Sequence, residues 1–169
     1  MEENVTIDSA NGLKLNGTIR IPDDLKPGEQ RPAFIILHGF GSNSNAANTI
    51  APATMLSDLG YITLRFDMRG CGKSDGEFGR IICLDQVEDT QHALSFFRDR
   101  PEVLENKIGL VGSSFGAAVS IYTAGIDERV AAVVSAVAWG NGETKFRDQH
   151  SSPEAWAKFT GMLVAGAAH

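Results

Sequence analysis

The sequence has few cysteines, a deficit of basic residues and no long apolar run. Its 169 residues include two cysteines, Cys71 and Cys83, which indicates free thiols rather than a disulfide framework. Fifteen Lys and Arg residues against 21 Asp and Glu residues give a net charge of −6, which argues against nucleic acid or an anionic membrane as a partner. No apolar stretch approaches the roughly 18 residues of a membrane span, and the first residues lack the character of a signal peptide. We therefore expect a cytoplasmic protein.

Short apolar segments alternate with helical segments along the chain. Hydrophobic residues make up 43% of the sequence, which is enough for one soluble domain with a core. Helices are predicted over residues 48–59, 84–98 and 115–124, and the tail over 151–168 is predicted as one helix. In the first of these, the helical spacing places one set of apolar residues on one side: Ile50, Met55, Leu56 and Leu59. Six strands are predicted, and they begin at Val5, Leu13, Ala33, Tyr61, Lys107 and Val130.

This alternation predicts an α/β fold, a mostly parallel sheet flanked by helices and built from right-handed βαβ units. In open parallel sheets, ligands bind beyond the carboxyl ends of the strands. The informative loops are therefore those that follow residues 37, 66, 111 and 137.

The loop after residue 111 carries the most specific motif, Gly112-Ser113-Ser114-Phe115-Gly116. The G-x-S-x-G spacing is that of a nucleophile elbow, in which the serine sits on a strained strand-to-helix turn and projects its hydroxyl from the sheet. Gly112 and Gly116 leave room, because a Cβ at either position would collide with the neighbouring strand or helix. The motif predicts Ser114 as a nucleophile.

The loop after residue 37 reads His38-Gly39-Phe40-Gly41-Ser42. Acyl transfer needs two backbone N–H groups aimed at the developing oxyanion, and the candidates are those of Phe40 and Phe115. Taken alone, this loop is more typical of an ordinary strand-to-helix turn. His38 precedes the elbow, so we interpret it as a structural residue, with a role as the base as the lesser alternative.

The loop after residue 66 contains Gly72-Lys73-Ser74, which raises the question of a phosphate-binding loop. That motif needs a glycine at position 67, where this chain has Asp, and it should open a helix rather than continue as a loop. We therefore exclude a nucleotide site here. Asp67 and Arg69 are expected to brace the loop through charge-assisted hydrogen bonds.

Together the three loops resemble the α/β-hydrolase family, closest to small bacterial esterases and acyl-peptidase-like hydrolases with His-Gly-Phe in the oxyanion loop. The resemblance covers roughly residues 1–140. It implies that Ser114 is the nucleophile and that Phe40 and Phe115 supply the oxyanion hole. It also implies small acyl or ester substrates, with no metal and no organic cofactor.

The chain departs from this family after its sixth strand. The family fold has eight strands, with the acid usually after the seventh and the histidine after the eighth. This chain resembles the N-terminal two-thirds of such a hydrolase, with a core over 1–140 and the start of a cap-like helical segment over 141–169. Replacements for the acid and base would have to come from the tail or from a partner, and the weak candidates in the tail are Glu143, Asp148 and His150. His150 is more typical of a solvated loop histidine, and His169 is the last residue.

Two consequences are expected. Without an acid and a base the chain should be a poor serine esterase, so a catalytically silent hydrolase-like module is an alternative, and peptidase or thioesterase activity is another. The apolar strand at 130–134 should be left as an unpaired edge. This edge could self-associate, depend on a partner, or be covered by the tail helix.

Overall fold

A computed structural model describes residues 1–166 of the chain. The strands are β1 (Glu2–Asp8), β2 (Lys14–Arg20), β3 (Arg31–Leu37), β4 (Ile62–Phe66), β5 (Val103–Ser113) and β6 (Val130–Ala136). The helices are α1 (Ala47–Asp58), α2 (Cys83–Arg98), α3 (Phe115–Ile126), α4 (Gly142–Gln149) and α5 (Pro153–Gly166). All six predicted strands are therefore present. By its internal contacts the chain divides into two compact units, Met1–Ala138 and Trp139–His169.

The first unit is a six-stranded sheet in the order β1-β2-β4-β3-β5-β6. The first two strands form an antiparallel hairpin, and β2 also runs antiparallel to β4. The pairs β3–β4, β3–β5 and β5–β6 are parallel. The hairpin turn follows its Asn-Gly signal, because Asn11 and Gly12 adopt φ values of 56° and 77°. The predicted mostly parallel sheet is thus confirmed.

The strand order determines which helices share a face of the sheet. The chain moves from β3 to β4 in one direction, and then from β4 past β3 to β5 and β6 in the other. With right-handed crossovers, α1 covers one face while α2 and α3 cover the opposite face. In agreement, α1 packs on β3 and β4, α3 packs on β5 and β6, and α2 contacts α3. Above β5 and β6, the face that carries α1 has no helix among residues 1–138.

Helix α1 does not pack on the sheet through its large apolar side chains. It packs through a different side, which carries small residues. Ile50, Met55 and Leu59, which the spacing places on one side of the helix, have exposed side chains. The buried positions are small residues four apart: Thr49, Ala53 and Ser57. Small side chains let the helix backbone approach β4 closely enough for the Thr63 hydroxyl to donate to the Ala53 carbonyl at 3.4 Å. Close packing against the sheet therefore outweighs apolar periodicity in this helix.

The second unit contains two helices where the sequence predicts one. Asn141 caps the N-terminus of the additional helix α4, because its side chain accepts a hydrogen bond from the Thr144 N–H at 2.9 Å. Helix α5 has Pro153 in its first turn, as predicted. None of the helices within residues 1–166 is long and apolar enough to cross a membrane.

Candidate active site

Ser114 occupies a strained turn between β5 and α3. Its backbone has φ 53° and ψ −115°, a combination that is costly for a residue with a side chain. The turn is held on both sides, because the Ser114 N–H donates to the Ala136 carbonyl at 2.9 Å and the Ser114 carbonyl accepts from the Ala117 N–H at 3.1 Å. The side chain is exposed. The turn thus holds this hydroxyl at the carboxyl edge of the parallel strands.

The two glycines beside Ser114 leave the space that the turn needs. A Cβ on Gly112 would overlap the carbonyl oxygen of Gly116, and a Cβ on Gly116 would overlap the carbonyl oxygens of Leu37 and His38. Both obstacles are backbone atoms, which cannot move aside as a flexible side chain can. The collisions expected from the motif are confirmed, and α3 can therefore start close against the end of β3.

The loop after β3 lies directly beside this turn. A Cβ placed on Gly39 would be 3.7 Å from the Cβ of Ser114. The next residue, Phe40, packs edge-on against Phe115 with ring centroids 5.6 Å apart. Phe115 is buried, whereas Phe40 remains 65% exposed. The structure thus brings together the three residues that the sequence singles out, Phe40, Ser114 and Phe115.

His38 is a buried structural residue beneath this loop. Its Nδ1 lies 2.8 Å from the Gly39 carbonyl oxygen, and its Nε2 accepts the Met68 N–H at 3.2 Å. Both ring nitrogens are therefore occupied in a neutral imidazole that donates from Nδ1. Burial lowers the pKa of His38 below its ordinary value of 6.5, although the Gly39 carbonyl and the nearby Asp67 oppose this shift. His38 ties the loop after β3 to the loop after β4.

The loop after β4 is braced by two buried charged residues, as expected from the sequence. The Asp67 carboxylate accepts the N–H groups of Ser44 at 2.6 Å and Lys73 at 2.9 Å. The Arg69 guanidinium donates to Asp89 at 2.7 and 2.9 Å. These charge-assisted contacts tie the loop after β4 to the loop after β3, through Ser44, and to α2, through Asp89.

The candidate acid and base residues all lie in the second unit. His150 places its Nδ1 2.8 Å from the Phe146 carbonyl oxygen and stacks on Phe159 with centroids 4.5 Å apart. Glu143 forms an exposed ion pair with Arg147 at 2.9 Å. Asp148 is exposed near the end of α4, and His169 lies outside the described residues. The stacking of His150 on an aromatic ring has no signal in the sequence.

Two features near Ser114 could not be predicted. The Ala136 carbonyl that holds the Ser114 N–H belongs to the last residue of β6, and the next residue, Val137, has φ 60°. The Asn48 side chain donates to the Ser113 hydroxyl at 3.4 Å. Within residues 1–166, no three His, Cys, Asp or Glu side chains are grouped to hold a metal ion.

The chain is similar to known α/β hydrolases over most of its length. The family model described as "Serine aminopeptidase, S33" matches residues 28–167. The polyketide transferase grgF of Penicillium sp is 36% identical over 135 residues, which are 78% of this chain and 43% of that protein.

Solved structures agree with this assignment. The crystal structure of the α/β hydrolase GrgF from Penicillium sp. sh18 matches with a TM-score of 0.77 at 27% identity, covering 98% of this chain and 56% of that one. Est1E from Butyrivibrio proteoclasticus with ferulic acid bound matches with a TM-score of 0.70 at 28% identity, covering 76% of this chain and 50% of that one. The chain spans about half the length of the curated relatives it matches. It belongs to the serine aminopeptidase S33 family of α/β hydrolases.

Proposed function

We propose that this chain carries the nucleophile and the oxyanion hole of a serine hydrolase that acts on carboxylic esters. One observation carries the proposal: Ser114 is exposed at the end of β5 in a strained turn that the surrounding backbone holds in place. Such strain persists only where the structure over-determines it, and it concentrates at functional sites. A nucleophile elbow requires this conformation, whereas an ordinary turn does not.

The proposed reaction proceeds through an acyl-enzyme. The Ser114 hydroxyl oxygen attacks the ester carbonyl carbon and gives its proton to a base, while the carbonyl oxygen becomes an oxyanion. The backbone N–H groups of Phe40 and Phe115 donate to that oxyanion, and the N-terminus of α3 favours its negative charge. When the intermediate collapses, the alcohol leaves with a proton. Water then hydrolyses the acyl-serine and releases the carboxylic acid.

The site needs a side chain that accepts the Ser114 proton, and the contacts described so far do not supply one. A serine hydroxyl is a poor nucleophile until a base accepts its proton. His38 is engaged at both ring nitrogens, so we assign it no such role. Within the described residues, His150 is the candidate base, with Glu143 or Asp148 as the acid. We propose low activity unless this tail or a partner chain supplies the base, because the oxyanion hole and substrate binding alone give about 10³–10⁴-fold over water.

The related proteins support an acyl substrate. One relative is named a polyketide transferase, and Est1E was solved with ferulic acid, a carboxylic acid, bound to it. The same chemistry would serve a thioester or a peptide, so thioesterase and peptidase activities remain alternatives within this proposal. Measuring acyl transfer from a p-nitrophenyl ester, an acyl thioester and a p-nitroanilide of the same acyl group would separate the three.

Intact-mass spectrometry after incubation with p-nitrophenyl acetate tests the proposal. If deacylation lacks a base, one acetyl group should accumulate per chain. The Ser114→Ala variant should gain none at that rate, and the Ser113→Ala variant should behave as the parent does. Equal acetylation of the parent and Ser114→Ala would instead favour the alternative of a catalytically silent module that acts by binding.

A further inference from the structure

Arg65 is a buried arginine in the middle of the sheet. It is the one charged residue of β4, a strand whose residues are all buried, and it is 6% exposed. A guanidinium is costly to remove from water, so it persists in such a place only where hydrogen bonds and an opposite charge compensate it. Arg65 takes no part in the reaction proposed for Ser114. Its partners therefore indicate what it does.

The Arg65 side chain joins β1 to the loop after β3. Its Nε donates to the Ser44 carbonyl at 3.1 Å, and its two terminal nitrogens donate to the Glu2 carboxylate at 3.2 and 3.4 Å. Glu2 lies on β1 with an exposed side chain and supplies the compensating charge. A guanidinium serves both partners at once, because its five donors form a rigid planar fork.

Ser44 is held at both of its backbone polar groups. Its N–H donates to Asp67 at 2.6 Å, while its carbonyl accepts from Arg65. Both hydrogen bonds are charge-assisted, which makes them stronger than bonds between neutral groups. Ser44 is fully buried, and within residues 1–166 its own hydroxyl has no hydrogen-bond partner. The contacts from Arg65 and Asp67 to the backbone, rather than the Ser44 side chain, therefore fix this residue.

The fixed Ser44 backbone lies at one end of the loop that carries Phe40. The Ser42 N–H donates to the Gly39 carbonyl at 3.2 Å, which closes a turn with Phe40 inside it. Before this turn, His38 accepts a backbone N–H from the loop after β4. After it, Ser44 is held from the end of β4. The turn around Phe40 is thus anchored on both sides to the same short segment.

We propose that Arg65 is a positioning residue that holds the loop of residues 38–44, and with it the Phe40 N–H, where it donates to the oxyanion formed at Ser114. This inference rests on the proposed function, in which the Phe40 N–H is one of two oxyanion donors. Such a donor is effective because its direction is fixed before the reaction, and removing one costs about 10²–10³-fold in rate. A loosened loop keeps the donor but misplaces it, so we expect a smaller loss of about tenfold.

A purely structural role for Arg65 would be to attach β1 to the sheet through Glu2. Arg20 on β2 provides the comparison, because it also pairs with Glu2, at 3.5 Å. Within the described part of the chain, Arg20 has no hydrogen bond to the loop after β3. Arg20→Met is therefore the matched control for Arg65→Met. Each variant removes an arginine partner of the same carboxylate, and Arg65→Met alone frees the Ser44 carbonyl.

Amide hydrogen exchange of the full chain, measured without substrate, tests whether Arg65 holds the loop. In Arg65→Met the amides of residues 40–46 should exchange about tenfold faster than in the parent, and in Arg20→Met they should stay within about twofold. Arg65→Lys is a second variant that keeps a charge beside Glu2 and so retains the fold, which far-UV circular dichroism verifies. An ammonium lacks the planar fork that serves both partners, so exchange should again be faster. Unchanged exchange in both Arg65 variants would overturn the proposal.

The rate of Ser114 acetylation by p-nitrophenyl acetate tests whether the loop serves the oxyanion. In Arg65→Met the maximal rate should fall about tenfold, while the ester concentration at half the maximal rate stays within about twofold. This split is expected because the loop acts on the transition state rather than on ester binding. Equal maximal rates in the parent and both Arg65 variants would overturn the proposal. An equal decrease in Arg20→Met would also overturn it, because that decrease would follow from the loss of a Glu2 partner alone.

The two measurements separate this proposal from the proposed function. A parent chain that does not acetylate Ser114 would contradict the proposed function and, with it, the use of the Phe40 N–H as an oxyanion donor. Hydrogen exchange would still show whether Arg65 holds the loop. A parent that acetylates Ser114, with exchange or acetylation unaffected by the Arg65 variants, would contradict the role of Arg65 alone.

Discussion

Ser114 and His150 are held by contacts of different kinds. Ser114 is fixed by the backbone of the sheet, through its hydrogen bond to Ala136 and the close approach of Gly116 to the end of β3. His150 is held by its own helix and by one aromatic ring, since it contacts the Phe146 carbonyl and stacks on Phe159. The first set of contacts joins distant parts of the chain, and the second joins neighbours in a small helical unit.

This difference shows which part of the chemistry the fold specifies. The position of a serine nucleophile follows from strand order and from two glycines, so it is complete within residues 1–138. An acid and a base are separate side chains that must be brought to that serine. We therefore expect substitutions near Ser114 to affect the whole sheet, and substitutions near His150 to affect the second unit alone.

The largest effect is expected from Gly116→Val. The new side chain would overlap the carbonyls of Leu37 and His38, so the free energy of unfolding should fall by about 3 kcal/mol. Urea denaturation followed by far-UV circular dichroism measures this. Gly125→Ala in the same helix is the control, because a Cβ there has open space, and it should be neutral or stabilise by up to about 1 kcal/mol. Equal costs for the two variants would contradict the proposed backbone contact.

The second largest effect is expected from Phe159→Ala, and it should lower the stability of the second unit alone. Phe159→Ala removes ring contacts to Phe146, His150 and Trp156, which should cost about 1–2 kcal/mol in that unit. Both tryptophans of the chain, Trp139 and Trp156, lie there, so tryptophan fluorescence reports on this unit directly. Its unfolding midpoint should decrease. The acetylation rate of Ser114 should stay within about twofold unless His150, which stacks on Phe159, serves as the base for Ser114. A loss of acetylation would show that the two regions act as one.

Ser114→Gly should stabilise the protein while abolishing its chemistry. Glycine adopts φ 53° without the steric cost that serine incurs, so the free energy of unfolding should rise by about 1 kcal/mol. Ser114→Ala keeps the strain and should change stability by less than about 0.5 kcal/mol. Thermal unfolding of the three proteins side by side would show this. If glycine and alanine give the same midpoint, the turn stores no strain.

The smallest effect concerns pH. Because burial lowers the pKa of His38, the unfolded chain binds a proton more readily than the folded one as pH falls below 6.5. The stability contributed by neutral His38 is present above that pH and is lost as pH falls toward the lower, folded pKa. Replacement by Gln keeps a donor and an acceptor but cannot titrate, so the stability difference between parent and His38→Gln should shrink from pH 8 to pH 5. A stability difference between parent and His38→Gln that stays constant from pH 8 to pH 5 would contradict the conclusion that His38 is buried in its neutral form.

More of the local structure around Ser114 could be predicted from the sequence than of the rest of the molecule. The spacing of Gly112 and Gly116 has a steric cause, so it could be interpreted from the sequence alone. The charge-assisted hydrogen bonds of Asp67 could also be expected, because a charged residue in a glycine-rich loop needs partners. The buried face of α1 could not be predicted, because small residues at Ala53 and Ser57 pack closely while the apolar ones point outward. The stacking of His150 depends on contacts between helices, which no local pattern specifies.

Labelling with a fluorophosphonate probe tests the central claim most directly. The probe forms a bond from serine oxygen to phosphorus with loss of fluoride, so it reports the nucleophile without requiring turnover. Intact mass and peptide mapping should show one adduct per chain, on Ser114, retained in Ser113→Ala and absent from Ser114→Ala. Adducts spread over several serines, or labelling that is unchanged in Ser114→Ala, would contradict the claim that this turn presents a nucleophile.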